Sequence, residues 1–196
     1  MSRLKEVKRY ILCTEDGKET ILNYNMVCEF KNGFARVILD GKEGFINETG
    51  KEIVPIKYDK VFNFKYGYAR VGLEGKEGFI DETGREIVPI IYDKVYDFEN
   101  GYARVGLDGK EGFIDETGKE IVPFIYDKVY DFENGYARVG LDGKEGVINE
   151  TGKEIVPIKY DKVFNFENGY ARVRLNYKEG FVDKNGKEII PPVLTY

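Results

Sequence analysis

No histidine occurs anywhere in this chain, and no tryptophan. The first absence removes the side chain that most often moves protons near neutral pH, and the commonest metal ligand with it. Cysteine is scarce: Cys13 and Cys28 are the only two. They are read as reduced thiols, since a structural zinc site wants about four Cys or His ligands. No apolar run approaches the roughly 18 residues of a membrane span. The opening MSRLKEVKRYILCTEDGKE interrupts its apolar stretch too soon for a signal peptide. As it stands the chain reads as cytoplasmic, and an export signal lost from it would leave the same picture. There is also no basic block or stripe. The 35 acidic and 30 basic residues are interspersed, so the net charge of −5 offers no polyanion-binding face and no nucleic-acid partner is expected. Gly-rich phosphate loops and the G-x-S-x-G elbow are missing too. No cofactor and no metal are expected.

What the chain has instead is a repeat. G-[FY]-A-R-V begins at Gly33, Gly67, Gly101, Gly135 and Gly169, always 34 residues apart. The copy from Gly101 to Asn134 differs from the one before it only at Asp108 for Glu74, Lys119 for Arg85 and Phe124 for Ile90. A period of this length marks a repeat architecture, in which single units cannot bury a core and share one with their neighbours. With 42% hydrophobic residues there is enough apolar material to fold.

Each unit divides into four short strands, which in the third copy are Lys94–Phe98, Tyr102–Leu107, Glu111–Asp115 and Glu120–Pro123. Glycine sits in every connection: Asn100-Gly101, Asp108-Gly109 and Thr117-Gly118. Asp-Gly between alternating segments favours a type I′ hairpin turn. In the last copy that turn reads Asn176-Tyr177, without glycine, and is expected to be the least well formed. Alternation puts Ala103, Val105 and Leu107 on one face, and Tyr102, Arg104 and Gly106 on the other. Tyr96 and Phe98 are expected to share a face. Pro123 and its equivalents remove a ladder donor and mark a strand end or sheet edge. A Tyr-Asp-Lys-Val linker joins one meander to the next, and its tyrosine (Tyr58, Tyr92, Tyr126, Tyr160) is expected to fill the core between sheets.

The expected fold is all-β: tandem 34-residue antiparallel meanders in an open twisted array, the alternative being a closed five-bladed propeller-like ring. Residues 1–196 form one repeat domain, with units at 26–59, 60–93, 94–127, 128–161 and 162–196. Residues 1–25 supply a charged tail (1–9) and a hairpin around Asp16-Gly17, a truncated unit that covers the first full one.

The motif G-x-A-R-V…G-K-x-G-[FV]-[IV]-[DN]…G-[KR]-E-[IV]-[IV]-P…Y-D resembles the bacterial WG repeat, also called KWG, from about residue 26 to 192. The resemblance implies a tandem β-structure and brings no catalytic residue set. One departure is systematic. Where the family has Trp after Lys, this chain has Glu43, Glu77, Glu111, Glu145 and Glu179. With a two-residue turn Glu111 lies opposite Gly106 and diagonal to Arg104, so a recurring Arg–Glu pair is expected, Arg36 with Glu43 and so on down the chain.

Carboxylates such as Asp81, Glu82, Asp115 and Glu116 lie in turns that recur nearly unchanged. They read as solvated turns, neither calcium loops nor a glycosidase pair. An active site needs unlike residues converging, and near-identical copies present the same surface again and again. No enzyme is expected. The candidate binding face is the Tyr/Arg/Glu set: Tyr68, Arg70, Glu77, Tyr102, Arg104, Glu111, Tyr136, Arg138, Glu145, Tyr170, Arg172 and Glu179. Tyr and Arg are enriched at binding hot spots. The expected function is a non-catalytic scaffold that holds a partner protein on this repeated surface. The alternative is a multivalent lectin-like binder of carbohydrate or another small ligand in pockets between units.

Overall fold

The computed structural model describes residues 10–14 and 17–192. The charged tail, Glu15 and Asp16 of the first turn, and the last four residues lie outside the described residues. Among the described residues there is no helix. A two-stranded hairpin is followed by five four-stranded sheets, each an antiparallel meander with its strands in chain order, and none closes into a barrel. The sheets span residues 26–58, 60–92, 94–126, 128–160 and 162–190. This is the all-β array of tandem open meanders that the 34-residue period implies. The chain divides into two compact units, Met1–Lys94 and Val95–Tyr196. The hairpin and first two sheets lie in the first unit, and the last two sheets, with the third from Val95 onward, lie in the second.

Turn chemistry explains the meander. In the fourth sheet Asn134 and Gly135 have φ of 52° and 83°, and Asp142 and Gly143 have 51° and 73°. Two successive residues of positive φ are the type I′ geometry, whose twist matches that of the flanking strands. The third turn runs Asn149 to Lys153, with Gly152 N–H donating to Asn149 C=O at 2.9 Å. It is a type I turn closed by a left-handed glycine, the three-residue hairpin form. Asn176-Tyr177 corrects the expectation of a poorly formed turn. Its φ values are 52° and 62°, and the flanking Leu175–Lys178 pair is kept. The mismatch sits in the backbone of Tyr177 and leaves the ladder intact.

Both outer strands differ from their expected limits, and for one reason. In the fourth sheet Lys128 and Val129 pair with Gly140 and Val139, and the next bridge is Glu133 with Tyr136. One extra residue therefore bulges from the outer strand. The regular first strand is cut to Lys128–Val129 there, and to Lys94–Val95 in the third sheet. The bulge also corrects the face assignment. Val129 is fully buried and Phe132, three residues on, packs on the same cluster. Tyr130 turns to the other side and lies beneath Arg138, 4.1 Å from ring centroid to guanidinium carbon. The fourth strand is longer than expected and runs through its proline, as in Glu154–Tyr160. Its register shifts between Val156 and Tyr160, so Pro157 occupies a bulge on an edge strand instead of ending it. The linker shrinks accordingly. Only Asp161 separates Tyr160 from the next strand at Lys162.

Within each unit the core lies between successive sheets. Phe113, Val122 and Tyr126 of the third sheet pack on Val129, Ala137, Val139 and Ile148 of the fourth. Val147, Val156 and Tyr160 of the fourth pack on Val163, Ala171, Val173 and Val182 of the fifth. Within each unit the Ala/Val face of the later sheet thus looks back to its predecessor, and the Tyr/Arg face of the earlier sheet looks forward. The four linker tyrosines are buried, as expected. The hairpin pairs Tyr10–Cys13 with Glu19–Leu22, and Leu12 and Leu22 pack with Val27, Phe30 and Ile46 of the first sheet. It stands where the last two strands of a preceding repeat would stand. Cys13 and Cys28 are free thiols.

Candidate functional site

The forward face of each sheet carries the candidate residues, and the register places them as the turn spacing requires, with Gly106 opposite Glu111 and Gly140 opposite Glu145. Glu145 reaches the next sheet and accepts the Val163 backbone N–H at 2.8 Å. Arg138 donates from Nη1 to the carbonyl of the same Val163 at 3.1 Å. One repeat earlier, Glu111 accepts from Val129 N–H at 2.7 Å and Arg104 donates to Val129 C=O at 2.8 Å. In the first unit Glu43 accepts from Val61 N–H at 2.9 Å. These valines lie on the first, outer strand of their sheet, where the N–H and C=O that point away from the sheet have no neighbouring strand. In the second unit the Arg and Glu of one repeat thus form a clamp on that open edge of the next.

The clamp changes the expected Arg–Glu pair into a pair that grips a third group. Arg104 also stacks on Tyr96 at 3.9 Å and lies 3.4 Å through Nε from Asp131. Tyr102 and Tyr136 are half-buried, their rings 5.6 and 4.8 Å from Phe132 and Phe166 of the following sheet. In the first unit Tyr68, Arg70 and Glu77 are likewise half-buried, and Arg70 stacks on Phe62 at 3.7 Å. Arg36 and Glu43 come within 3.7 Å of each other.

The fifth sheet carries the same face differently. Tyr170 is 49% exposed and Phe181 39%, whereas Phe113 at the same place in the third sheet is 3% exposed. Ile189 and Ile190 are exposed as well. Arg172 lies over Phe164 at 3.9 Å, in the stacked pose of its counterparts. Glu179 accepts from Arg174 at 2.8 Å and Arg172 at 3.4 Å, where Glu111 and Glu145 accept a valine N–H. Those two guanidiniums, Arg174 first, hold its carboxyl below the ordinary range. A groove of about 580 Å³ opens here, lined by Phe164, Tyr170, Arg172, Phe181, Ile189 and Ile190 among others. The corresponding space of the fourth sheet, beside Tyr130, Tyr136 and Arg138, is reduced to about 120 Å³ by Phe164, Asn165 and Phe166 of the fifth. The wide groove is thus the counterpart of the inter-repeat surface, and within this unit no described residue supplies its strand.

One residue type carries more than the sequence revealed. Asp127, the single connector between sheets, accepts from Lys110 Nζ at 2.6 Å and from the turn N–H of Asp142 at 2.7 Å. Asp161 does the same with Lys144 and Asn176, and Asp59 with Lys42 and Glu74. The lysine bond first and the backbone N–H second push all three carboxyls down. The signal was present in a Lys recurring 17 residues before each of these aspartates. The turn aspartates are occupied locally. Asp115 Oδ1 accepts from Thr117 Oγ1 at 2.6 Å, Thr117 N–H at 2.9 Å and Lys119 N–H at 3.0 Å, and Thr117 foremost keeps that carboxyl low.

The family model described as WG containing repeat matches residues 44–76, 78–110, 112–144, 146–178 and 180–196. Its frame opens at the glycine after Glu43, Glu77, Glu111, Glu145 and Glu179, part-way through a sheet. No curated protein matches the sequence. Among solved structures, Kluyveromyces lactis Hsv2p aligns at 13% identity and a TM-score of 0.40, over 84% of this chain and 63% of its own. The chain thus spans somewhat less than two thirds of that protein's length. A Bacteroides caccae protein of unknown function aligns at 15% identity and a TM-score of 0.30, over 88% and 84%. A eukaryotic initiation factor aligns at 10% and 0.42, over 96% and 74%.

Proposed function

Because the chain belongs to the WG containing repeat family, which is defined by a repeat and not by a reaction, we propose that it is a non-catalytic scaffold that holds partner proteins. The observation that carries this reading is the exposed forward face of the fifth sheet. Tyr170, Arg172, Phe181, Ile189 and Ile190 form one amphipathic groove of about 580 Å³. Aromatic and Arg side chains around an apolar floor are the composition of a protein-binding hot spot. The copies of the face in the third and fourth sheets serve cohesion between repeats, so recognition is assigned to the copy in the fifth. Catalysis has little to draw on. The depressed carboxyls above are each held by a lysine, an arginine or a turn of their own, the arrangement of structural ion pairs and caps.

A photo-crosslinking amino acid placed at Ile190, in cells that make the protein, tests the reading. Discrete protein adducts that weaken when Arg172 is replaced by Ala are the expected result. Absence of protein adducts, together with glycan or small-ligand binding near one equivalent per repeat, overturns it in favour of a multivalent ligand binder.

A further inference from the structure

Resting on the scaffold reading, we propose that the end groove takes an extended peptide strand of the pattern Val-aromatic-Asp-Phe, bound through the backbone of its valine. The inner interfaces of the second unit supply the template. At the groove's equivalent in the third sheet sits the segment Lys128-Val129-Tyr130-Asp131-Phe132. Glu111 and Arg104 take the two backbone groups of Val129, Asp131 lies 3.4 Å from Arg104 Nε, and the Phe132 ring stacks 4.6 Å from Phe113. At the fifth sheet Glu179, Arg172, Tyr170 and Phe181 occupy the corresponding positions, and within this unit no described residue takes the place of Val129 or Phe132.

Charge favours an acidic residue in the incoming strand more than at the inner sites. Arg174 stands where the third and fourth sheets have Gly106 and Gly140, so two guanidiniums face one carboxylate. A carboxylate two residues after the valine, as in Asp131, balances them. The binding mode is strand addition in which side chains replace half of the ladder. Backbone groups supply affinity and the phenylalanine socket supplies selectivity. A second copy of this chain is a poor occupant. Its inner segments of this kind in the second unit are already clamped, and Val27 and Phe30 of its first sheet are packed beneath the hairpin.

The probe is the synthetic peptide Asp-Lys-Val-Tyr-Asp-Phe-Glu-Asn, titrated into the full chain and followed by NMR. Shifts confined to the Arg172, Glu179 and Phe181 region are expected. Affinity should fall about tenfold or more with Arg172→Ala, with N-methylation of the peptide valine, and with its Phe replaced by Ala. Arg172 is exposed, so this variant keeps its unfolding midpoint. Binding that ignores all three changes, or no binding up to millimolar peptide, overturns the proposal. Two further results overturn it by naming another occupant. One is binding that appears only after the chain is ended at Pro192, which assigns the groove to residues 193–196. The other is concentration-dependent dimerisation abolished by Arg172→Ala, which assigns it to a second copy. Protein adducts at Ile190 without peptide binding leave the scaffold reading standing and this inference fallen.

Discussion

Tyr177 holds a backbone conformation that tyrosine resists, with φ of 62° in a type I′ turn whose counterparts at that position are Gly41, Gly75, Gly109 and Gly143. An L-residue in the left-handed region costs roughly 1–2 kcal/mol, and the fully exposed Tyr177 side chain offers no contact in return. Tyr177→Gly is therefore expected to stabilise the chain by about 1 kcal/mol, read as a higher urea midpoint at unchanged m-value. The opposite sign is expected at Gly146. A β-carbon there would lie 2.6 Å from the carbonyl oxygen of Val156, because the bulged fourth strand crosses directly over it. Gly146→Ala should be among the most damaging single substitutions, losing soluble protein or several degrees of thermal midpoint. The first effect is legible from a missing glycine in the sequence. The second is not, since the glycine of Lys-Glu-Gly is flanked by ordinary strand residues and only the overlying bulge explains it.

The strands carry a lesson of the same kind. The three turns, the alternation of faces and the register of Gly140 with Glu145 follow from residue types alone, because turn geometry fixes hairpin register. The bulges in both outer strands do not, and they decide that Phe132 enters the core while Tyr130 lies under Arg138. Nor was the target of the Arg–Glu pair legible, since a backbone N–H and C=O leave no mark in a sequence. The pair makes a specific prediction. Glu145→Ala strips the acceptor from the N–H of fully buried Val163 and should cost about 1–3 kcal/mol. The same change at Glu179, which among the described residues accepts from Arg172 and Arg174 and clamps no strand, should leave the urea midpoint almost where it was. Equal effects at the two positions would remove the clamp from the account. The connector aspartates add a pH dependence. Asp59, Asp127 and Asp161 have carboxyls lowered in the folded state, by lysine first and by a turn N–H second. Lowered pKa values give stability that is present above the unfolded value of about 4 and lost as pH falls through the folded one. The buried tyrosines act from the other side. Burial raises Tyr58, Tyr126 and, with Glu188, Tyr160. Their contribution is complete below the unfolded value of about 10 and is lost as pH rises beyond it. Urea midpoints should hold between these limits and fall outside both, with Asp161→Asn flattening the acid side.

Within each unit the described sheets bury their cores against their neighbours, so the chain should tolerate a change of count. Excising residues 101–134 joins Asn100 to Gly135 and restores an Asn-Gly type I′ turn at the junction, with the φ values of the original. The first strand of the third sheet then continues into the last three of the fourth, and Arg138 and Glu145 remain to clamp Val163. The shortened chain should fold cooperatively, with an m-value reduced by roughly the fraction of surface removed, because m tracks the area exposed on unfolding. A closed ring would fail this test, since loss of one unit would leave its two ends unable to meet. An unfolded or aggregating product would therefore count against the open array. The excision also separates cohesion from recognition. It removes one inner clamp and leaves Tyr170, Arg172, Glu179 and Phe181 untouched, so the shortened chain should bind the Val-aromatic-Asp-Phe peptide as the full chain does. Affinity that instead declines in step with the number of repeats would place binding on the inner faces and favour a multivalent ligand.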